Sequence, residues 1–240
     1  MTLLRVEGLR KSFGGLVAVK DLSFAIQQGE VLGLIGPNGA GKTTVFNLVA
    51  GFLKPDSGKV QFMDEEIIGL KPHQVCKKGI ARTFQICKPF TRLTVLENVT
   101  IGALIRYGNK KEAREMARRT IDFLGLSQII DRPASGLPIV MQKKLEFARA
   151  LATEPKLILL DEIAAGLHPS EVKEVIALIK QISSTGLTIV VVEHIMRAVM
   201  SVSDRIIVLH HGEKIAEGKP VDIARNQKVI DAYLGEKYIF

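Results

Sequence analysis

The sequence contains few cysteines, no tryptophan and no long apolar run. Its two cysteines, Cys76 and Cys87, show no CxxC or metal-type spacing, so we expect no disulfide framework and a reducing cytosol. A membrane span needs about 18 apolar residues, and no run approaches that length. The N-terminus lacks the basic-then-apolar pattern of a signal peptide. The chain is therefore expected not to cross a membrane by itself.

Charge and composition leave several partner classes open. The 240 residues carry a net charge of +8, with 47% hydrophobic and 24% charged residues, which is typical of a globular protein with a large core. This charge is compatible with nucleic acid, anionic lipid or nucleotide. Because no basic block is interleaved with aromatic residues, a nucleic-acid partner is not expected.

Residues 36–44, Gly-Pro-Asn-Gly-Ala-Gly-Lys-Thr-Thr, fit the pattern G-x-x-x-x-G-K-[ST] between a predicted strand and a predicted helix. Glycines let successive N–H groups point inward as an anion nest, to which the helix start adds its positive dipole end. Lys42 is placed to reach the β- and γ-phosphates, and the Thr43 hydroxyl to ligate Mg²⁺. The alternative is a glycine turn that only caps a helix. Seven residues are predicted to contact the nucleotide: Asn38, Gly39, Ala40, Gly41, Lys42, Thr43 and Thr44.

Strand and helix patterns alternate along most of the chain. Apolar runs predict strands at residues 3–9, 17–26, 60–62, 157–160 and 188–192, and a hairpin at 205–216. We expect a turn at residues 11–15, and Ser170 as the cap of the helix that follows it. Between residues 88 and 152, helical periodicity replaces the strands. Its basic cluster is typical of a solvated helix face: Lys110, Lys111, Arg114, Arg118 and Arg119.

Three further sites carry chemistry only in combination with the glycine loop. Asp161 and Glu162 end an apolar strand, where an aspartate can hold Mg²⁺ and a glutamate can accept a proton from water. His194 follows another buried strand and suits either a γ-phosphate or a backbone hydrogen bond. Gln85 lies where the helical region begins; it suits either a metal or water contact or an exposed surface position.

Together these motifs resemble the nucleotide-binding subunits of ABC transporters, in the family's order and over nearly the whole chain. The resemblance implies an α/β fold: a P-loop NTPase (RecA-like) core with an N-terminal antiparallel β subdomain and an inserted helical lobe. It implies one domain, 1–240, with the core at 1–87 and 153–240 and the helical lobe at 88–152. It also implies ATP and Mg²⁺ as ligands. Glu162 corresponds to the catalytic base, His194 to the switch histidine and Gln85 to the Q-loop glutamine; Gln85 and Asp161 would bind the metal. Phe13 corresponds to an aromatic that stacks on adenine, the alternative being a core phenylalanine.

Within this family, four segments are similar to the ATPases of branched-chain amino-acid importers: residues 82–85, 93–99, 164–167 and 232–235. ATPases of urea import and lipopolysaccharide export look much alike. The resemblance implies transmembrane permease subunits, a head-to-tail dimer with itself or a second ABC ATPase, indirect action with a solute-binding protein, and a peripheral position at the cytoplasmic face of the inner membrane. A regulatory module that binds ATP but scarcely hydrolyses it is a second interpretation. A soluble ABC ATPase acting on DNA or ribosomes is disfavoured, because the chain has neither a coiled-coil insertion nor tandem cassettes.

The sequence departs from the family at its signature, usually Leu-Ser-Gly-Gly-Gln. The five corresponding residues are Leu137, Pro138, Ile139, Val140 and Met141. Pro138 offers no hydroxyl or N–H, the branched side chains replace glycines, and Met141 lacks the glutamine's hydrogen bonds. Ile163 stands where proline is usual, and His168 where aspartate or asparagine is usual. We therefore expect normal ATP binding by this chain's own loop but poor complementation of a partner's ATP.

Overall fold

The computed structural model describes residues 1–84, 87–193 and 195–235. These residues form two sheets with helices around the second. The elements run in the order β1 Thr2–Phe13, β2 Leu16–Gln27, β3 Val31–Ile35, α1 Lys42–Val49, β4 Ser57–Phe62, β5 Glu65–Glu66, α2 Pro72–Lys78, β6 Ile80–Arg82, α3 Val95–Ala103, α4 Lys110–Phe123, α5 Ile139–Leu151, β7 Leu157–Asp161, α6 Pro169–Ser183, β8 Thr188–Val192, α7 Met196–Val202, β9 Arg205–His210, β10 Glu213–Gly218, α8 Pro220–Ala224 and α9 Gln227–Gly235.

The first sheet is antiparallel, with the strand order β2-β1-β4-β5. The second has the order β10-β9-β3-β8-β7-β6, in which only the β10–β9 pair is antiparallel. Every residue of β3, β7 and β8 is buried, as expected for parallel strands covered on both faces. The carboxyl ends of these three strands therefore meet at one edge of the sheet, where ligands of open α/β sheets bind.

The helices between β6 and β7 pack into a cluster that includes Val99, Ile121, Leu145 and Phe147, all at most 1% exposed. Thr94 caps helix α3: its hydroxyl accepts the Glu97 N–H while the Glu97 carboxylate accepts the Thr94 N–H. This reciprocal capping stabilises the first turn of the helix. The predicted fold class is confirmed; the assignment of residues 88–152 to a separate lobe stays a prediction.

Two local predictions were wrong. Strand β1 continues to Phe13, because Lys11, Ser12 and Phe13 pair with β2, so the turn predicted at residues 11–15 is confined to Gly14 and Gly15. Ser170 does not cap α6, because the helix already begins at Pro169. A proline fits the first helical position since its missing N–H would have no helical partner there.

Within residues 1–84, 87–193 and 195–235, no helix is both long enough and apolar enough for a transmembrane span.

Candidate functional site

The glycine loop follows β3 and ends in α1, and its backbone needs glycine. Gly39 has a φ of +75° and Gly41 a φ of +103°, a range that L-residues with side chains rarely adopt. A Cβ on Gly41 would lie 2.4 Å from the carbonyl oxygen of Ala18. On the other side, the Gly212 N–H donates to the Ala40 carbonyl oxygen at 3.1 Å. The loop is therefore fixed between β2 and the β9–β10 turn.

Lys42 lies inside this loop with only 5% of the residue exposed. Its Nζ donates to the carbonyl oxygens of Gly36 at 2.7 Å and Pro37 at 2.8 Å. A buried ammonium needs such partners, since desolvation of an unpaired charge is costly. The contacts place the cation at the loop, where a phosphate chain on the backbone N–H groups would meet it.

A cleft of about 270 Å³ brings most of the predicted site residues together. Phe13 is 47% exposed and Leu16 68% exposed, so both offer apolar surface. The alternative of a core phenylalanine at Phe13 is therefore wrong, and its stacking on adenine stays a prediction. The lining consists of Phe13, Leu16, Ala18, Asn38, Gly39, Ala40, Gly41, Lys42, Thr43, Thr44 and Glu162.

Asp161 ends β7 and is paired with an arginine that the sequence analysis did not single out. The residue is 4% exposed, and its Oδ2 accepts from a terminal nitrogen of Arg82 at 2.8 Å. Burial raises the pKa of the Asp161 carboxyl, and the Arg82 hydrogen bond opposes that rise. The Glu162 carboxylate also raises the pKa of Asp161, whereas the Lys42 ammonium lowers it. No signal in the sequence indicated this pair, because it depends on β6 lying next to β7 in the sheet.

Glu162 adopts a left-handed backbone with a φ of +48°. Its N–H donates to the Val192 carbonyl oxygen at 2.8 Å, which holds the residue where β7 and β8 end. Non-glycine residues rarely adopt this conformation, and it persists only where the surrounding structure imposes it. Glu193, also missed in the sequence, is 3% exposed and accepts the Ala164 N–H at 2.6 Å. It thereby ties the segment after Glu162 to the end of β8.

Gln85 and His194 lie outside the described residues, so their roles stay predictions. The described residues on either side of Gln85 contact one carboxylate of α5. Glu146 accepts a hydrogen bond from the Phe84 N–H at 2.6 Å and from the Cys87 thiol at 2.9 Å. Burial raises the pKa of the Cys87 thiol to about 12, and the Glu146 carboxylate adds to the rise. Cys87 is consequently a thiol, not a thiolate, at neutral pH.

The segment at the signature position begins α5. Pro138 immediately precedes the first helical residue, Ile139, which is 48% exposed. Gln142 supplies an amide one residue beyond Met141, but its Nε2 donates to the Leu137 carbonyl oxygen at 2.8 Å. This amide is therefore engaged within its own segment.

Oxygen donors are available for a magnesium ion. Mg²⁺ prefers hard oxygen ligands and usually takes only one or two from the protein. The Asp161 carboxylate and the Thr43 hydroxyl are of this type. Among the described residues, no cluster of three or more histidine, cysteine, aspartate or glutamate side chains forms a metal cage. A metal shared with a nucleotide fits these donors better than an ion held by protein alone.

The family profiles and the individual proteins similar to this chain are those of ABC transporters or of ATP-binding transport proteins. A family profile described as ABC transporter matches residues 19–165, and one described as branched-chain amino acid ATP-binding cassette transporter matches residues 213–239. The chain is 39% identical to the high-affinity branched-chain amino acid transport ATP-binding protein BraF of Pseudomonas aeruginosa. It is 40% identical to the high-affinity branched-chain amino acid transport ATP-binding protein LivG of Escherichia coli. Each alignment covers 98% of both proteins.

Solved structures agree with these relatives. A nucleotide-free ATP-binding cassette from an ABC transporter matches with a TM-score of 0.88 at 33% identity, covering 97% of this chain and 99% of that one. A cassette in its ADP conformation matches with a TM-score of 0.89 at 33% identity, covering 98% and 99%. A bacterial ABC transporter cassette solved as a dimer matches with a TM-score of 0.81 at 27% identity, covering 91% of this chain and 99% of that one. The chain belongs to the ABC transporter family, as one of its ATP-hydrolysing, nucleotide-binding subunits.

Proposed function

We propose that this chain hydrolyses ATP to drive the import of branched-chain amino acids. The observation that carries the ATPase assignment is the cleft in which the glycine loop and Glu162 face each other. The substrate assignment is supported by the similarity to BraF and LivG and by the profile match at residues 213–239.

Each residue has a distinct task in this proposal. The backbone N–H groups of residues 38–44 and the Lys42 ammonium bind the phosphates, while Phe13 stacks on adenine. Magnesium, held by Thr43, Asp161 and Gln85, would neutralise charge on the phosphates. Glu162 accepts the proton of the attacking water.

His194 donates a hydrogen bond to the γ-phosphate. Its sequence position supports this role, because it directly follows Glu193, the residue after β8. A neutral imidazole suits this task because one ring nitrogen can donate while the other accepts from a neighbour.

The partners follow from the importer assignment. Permease subunits would receive the conformational change, a solute-binding protein would act indirectly, and the chain would lie peripherally at the cytoplasmic face of the membrane. A groove of about 340 Å³ between the sheet edge and α3 and α5 is the surface we assign to the permease. Its apolar lining suits an amphipathic helix laid into a groove. The dimeric cassette among the matched structures supports dimerisation.

A second candidate, a regulatory subunit with one impaired site, is favoured by the segment that precedes and opens α5. Pro138 has no N–H, and Ile139 and Val140 carry branched side chains where glycines would allow close backbone approach. In a head-to-tail dimer with a different ATPase, one composite site would use this chain's loop and work. The other would use this chain's signature and be impaired. A homodimer would be impaired at both.

ATP turnover tests both candidates. We expect slow hydrolysis by the chain alone, faster hydrolysis with a second ATPase and permease, and loss of that hydrolysis on Glu162→Gln. Glu66→Gln, an exposed carboxylate on β5, is the matched control and should leave the rate unchanged. Brisk hydrolysis by the chain alone, lost on Glu162→Gln, would contradict the impaired signature. Absence of hydrolysis in the full assembly would contradict the ATPase assignment.

A further inference from the structure

One buried arginine connects the carboxylate predicted to bind metal with the apolar groove. Arg82 is the last residue of β6, and its side chain is 8% exposed. One terminal nitrogen donates to Asp161 Oδ2 at 2.8 Å, and the other donates to Asn47 Oδ1 on α1. The guanidinium thus joins β7 to the helix that follows the glycine loop.

Aromatic rings surround the same guanidinium. Its central carbon lies 5.1 Å from the ring centroid of Phe84, 5.5 Å from that of Phe52 and 5.9 Å from that of Phe46. These distances are those of cation–π contacts. Phe46 is buried, whereas Phe52 is 48% and Phe84 44% exposed. The two exposed rings contact each other edge to face, with centroids 5.8 Å apart.

Phe46, Phe52 and Phe84 form an aromatic cage around the Arg82 guanidinium. The exposed side of this aromatic cage faces the groove assigned to the permease. Phe52, Arg82 and Phe84 line it together with Ile101 and Ile105 and with the α5 side chains Glu146 and Arg149. A partner seated in the groove would therefore touch the rings that hold the guanidinium. A displacement of these rings would reach Asp161 through a single side chain.

The hydrogen bonding of Arg82 is incomplete in its present position. Its Nε is buried without a hydrogen-bond partner among the described residues. A guanidinium has five N–H donors, and a buried donor left unpaired is costly. Withdrawal of Arg82 from Asp161 therefore gives up less than it would from a fully bonded site.

We propose that Arg82 is a positioning residue that competes with Mg²⁺ for Asp161 and withdraws when an apolar partner segment fills the groove. The proposal rests on the proposed function. Two cations would share one buried carboxylate, and like charges repel strongly where water is excluded. Loosening the aromatic cage should therefore strengthen Mg²⁺ binding, and groove occupancy would be coupled to the metal site.

The test is the Mg²⁺ dependence of nucleotide binding by the whole chain, followed with a fluorescent ATP analogue. Phe84→Ala should lower the half-saturating Mg²⁺ concentration about threefold, the order expected for one cation–π contact. In an Arg82→Met background the same change should have no effect, because methionine carries no charge that could compete with Mg²⁺ and no N–H donor for Asp161. The melting temperature in Mg²⁺ and in chelator is a readout independent of turnover.

A matched phenylalanine provides the control. Phe90 is also 44% exposed, and its ring centroid lies 4.8 Å from the guanidinium carbon of Arg149, for which no Asp161 contact is found among the described residues. Phe90→Ala should leave the half-saturating Mg²⁺ concentration unchanged. Phe52→Ala replaces Phe84→Ala if circular dichroism shows that the latter does not fold.

Three results would overturn the inference: no shift on Phe84→Ala, a weaker metal affinity, or the same shift in the Arg82→Met background. Each leaves the proposed function intact, provided that the unaltered chain binds the ATP analogue. Failure of the unaltered chain to bind the analogue at any Mg²⁺ concentration would instead contradict the proposed function.

Discussion

Replacing Gly41 by alanine should damage the glycine loop far more than replacing Gly39. Both glycines have positive φ, and a left-handed backbone costs an alanine about 1–2 kcal/mol. Nothing lies within 4 Å of a Cβ on Gly39, whereas a Cβ on Gly41 would meet the Ala18 carbonyl oxygen at 2.4 Å. Because the loop or strand β2 must then move, overpacking adds about 1–3 kcal/mol.

The assay is thermal unfolding with and without ATP. In a domain of this size each kcal/mol lowers the melting temperature by about 2–4 °C, so we expect Gly39→Ala to lower it by roughly 2–8 °C and Gly41→Ala by roughly twice as much. ATP affinity should fall about tenfold for Gly41→Ala only, the equivalent of 1.4 kcal/mol. Equal melting temperatures and affinities for the two variants would refute the close approach between the loop and β2.

Three further predictions concern the helices and the cysteine beside the site. Phe147→Ala should destabilise the chain by about 3–5 kcal/mol, because the side chain is 1% exposed in the helical cluster; denaturant unfolding measures this, and a loss under about 1 kcal/mol contradicts the packing. Thr94→Ala should cost about 1 kcal/mol through loss of the capping contact with Glu97, again read from denaturant midpoints, and an unchanged midpoint contradicts it. In a chain whose Cys76 has been replaced, Cys87 should resist alkylation at pH 8, because its raised pKa keeps the thiol protonated. Glu146→Gln should speed this alkylation. Rapid alkylation of Cys87 with Glu146 intact would refute the burial of the thiol and its pairing with Glu146.

Patterns local in the chain were sufficient for much of the fold. The glycine loop, with its strand and helix, was predicted because loop chemistry and apolar runs depend on neighbouring residues. The turn predicted at residues 11–15 failed for the opposite reason. Lys11 and Ser12 look turn-like locally but are held in β1 by pairing with β2, a contact that no local pattern encodes.

The same distinction applies to the site. Phe13 and Glu162 lie far apart in sequence, yet family resemblance placed both, and the cleft brings them together. Arg82 and Glu193 were missed because their importance comes from contacts with Asp161 and the Ala164 N–H across the sheet edge. Such pairs depend on strand order, which the sequence alone left undetermined.

Equilibrium binding of ATP in the presence of Mg²⁺ tests the central claim most directly. The unaltered chain should bind ATP, and Lys42→Ala should weaken binding about a hundredfold, since two charge-assisted hydrogen bonds to phosphate are worth roughly 3 kcal/mol together. Lys59→Ala, an exposed lysine on β4, should bind like the unaltered chain. Binding that is absent altogether, or indifferent to Lys42→Ala, would contradict the assignment of the loop as the nucleotide site.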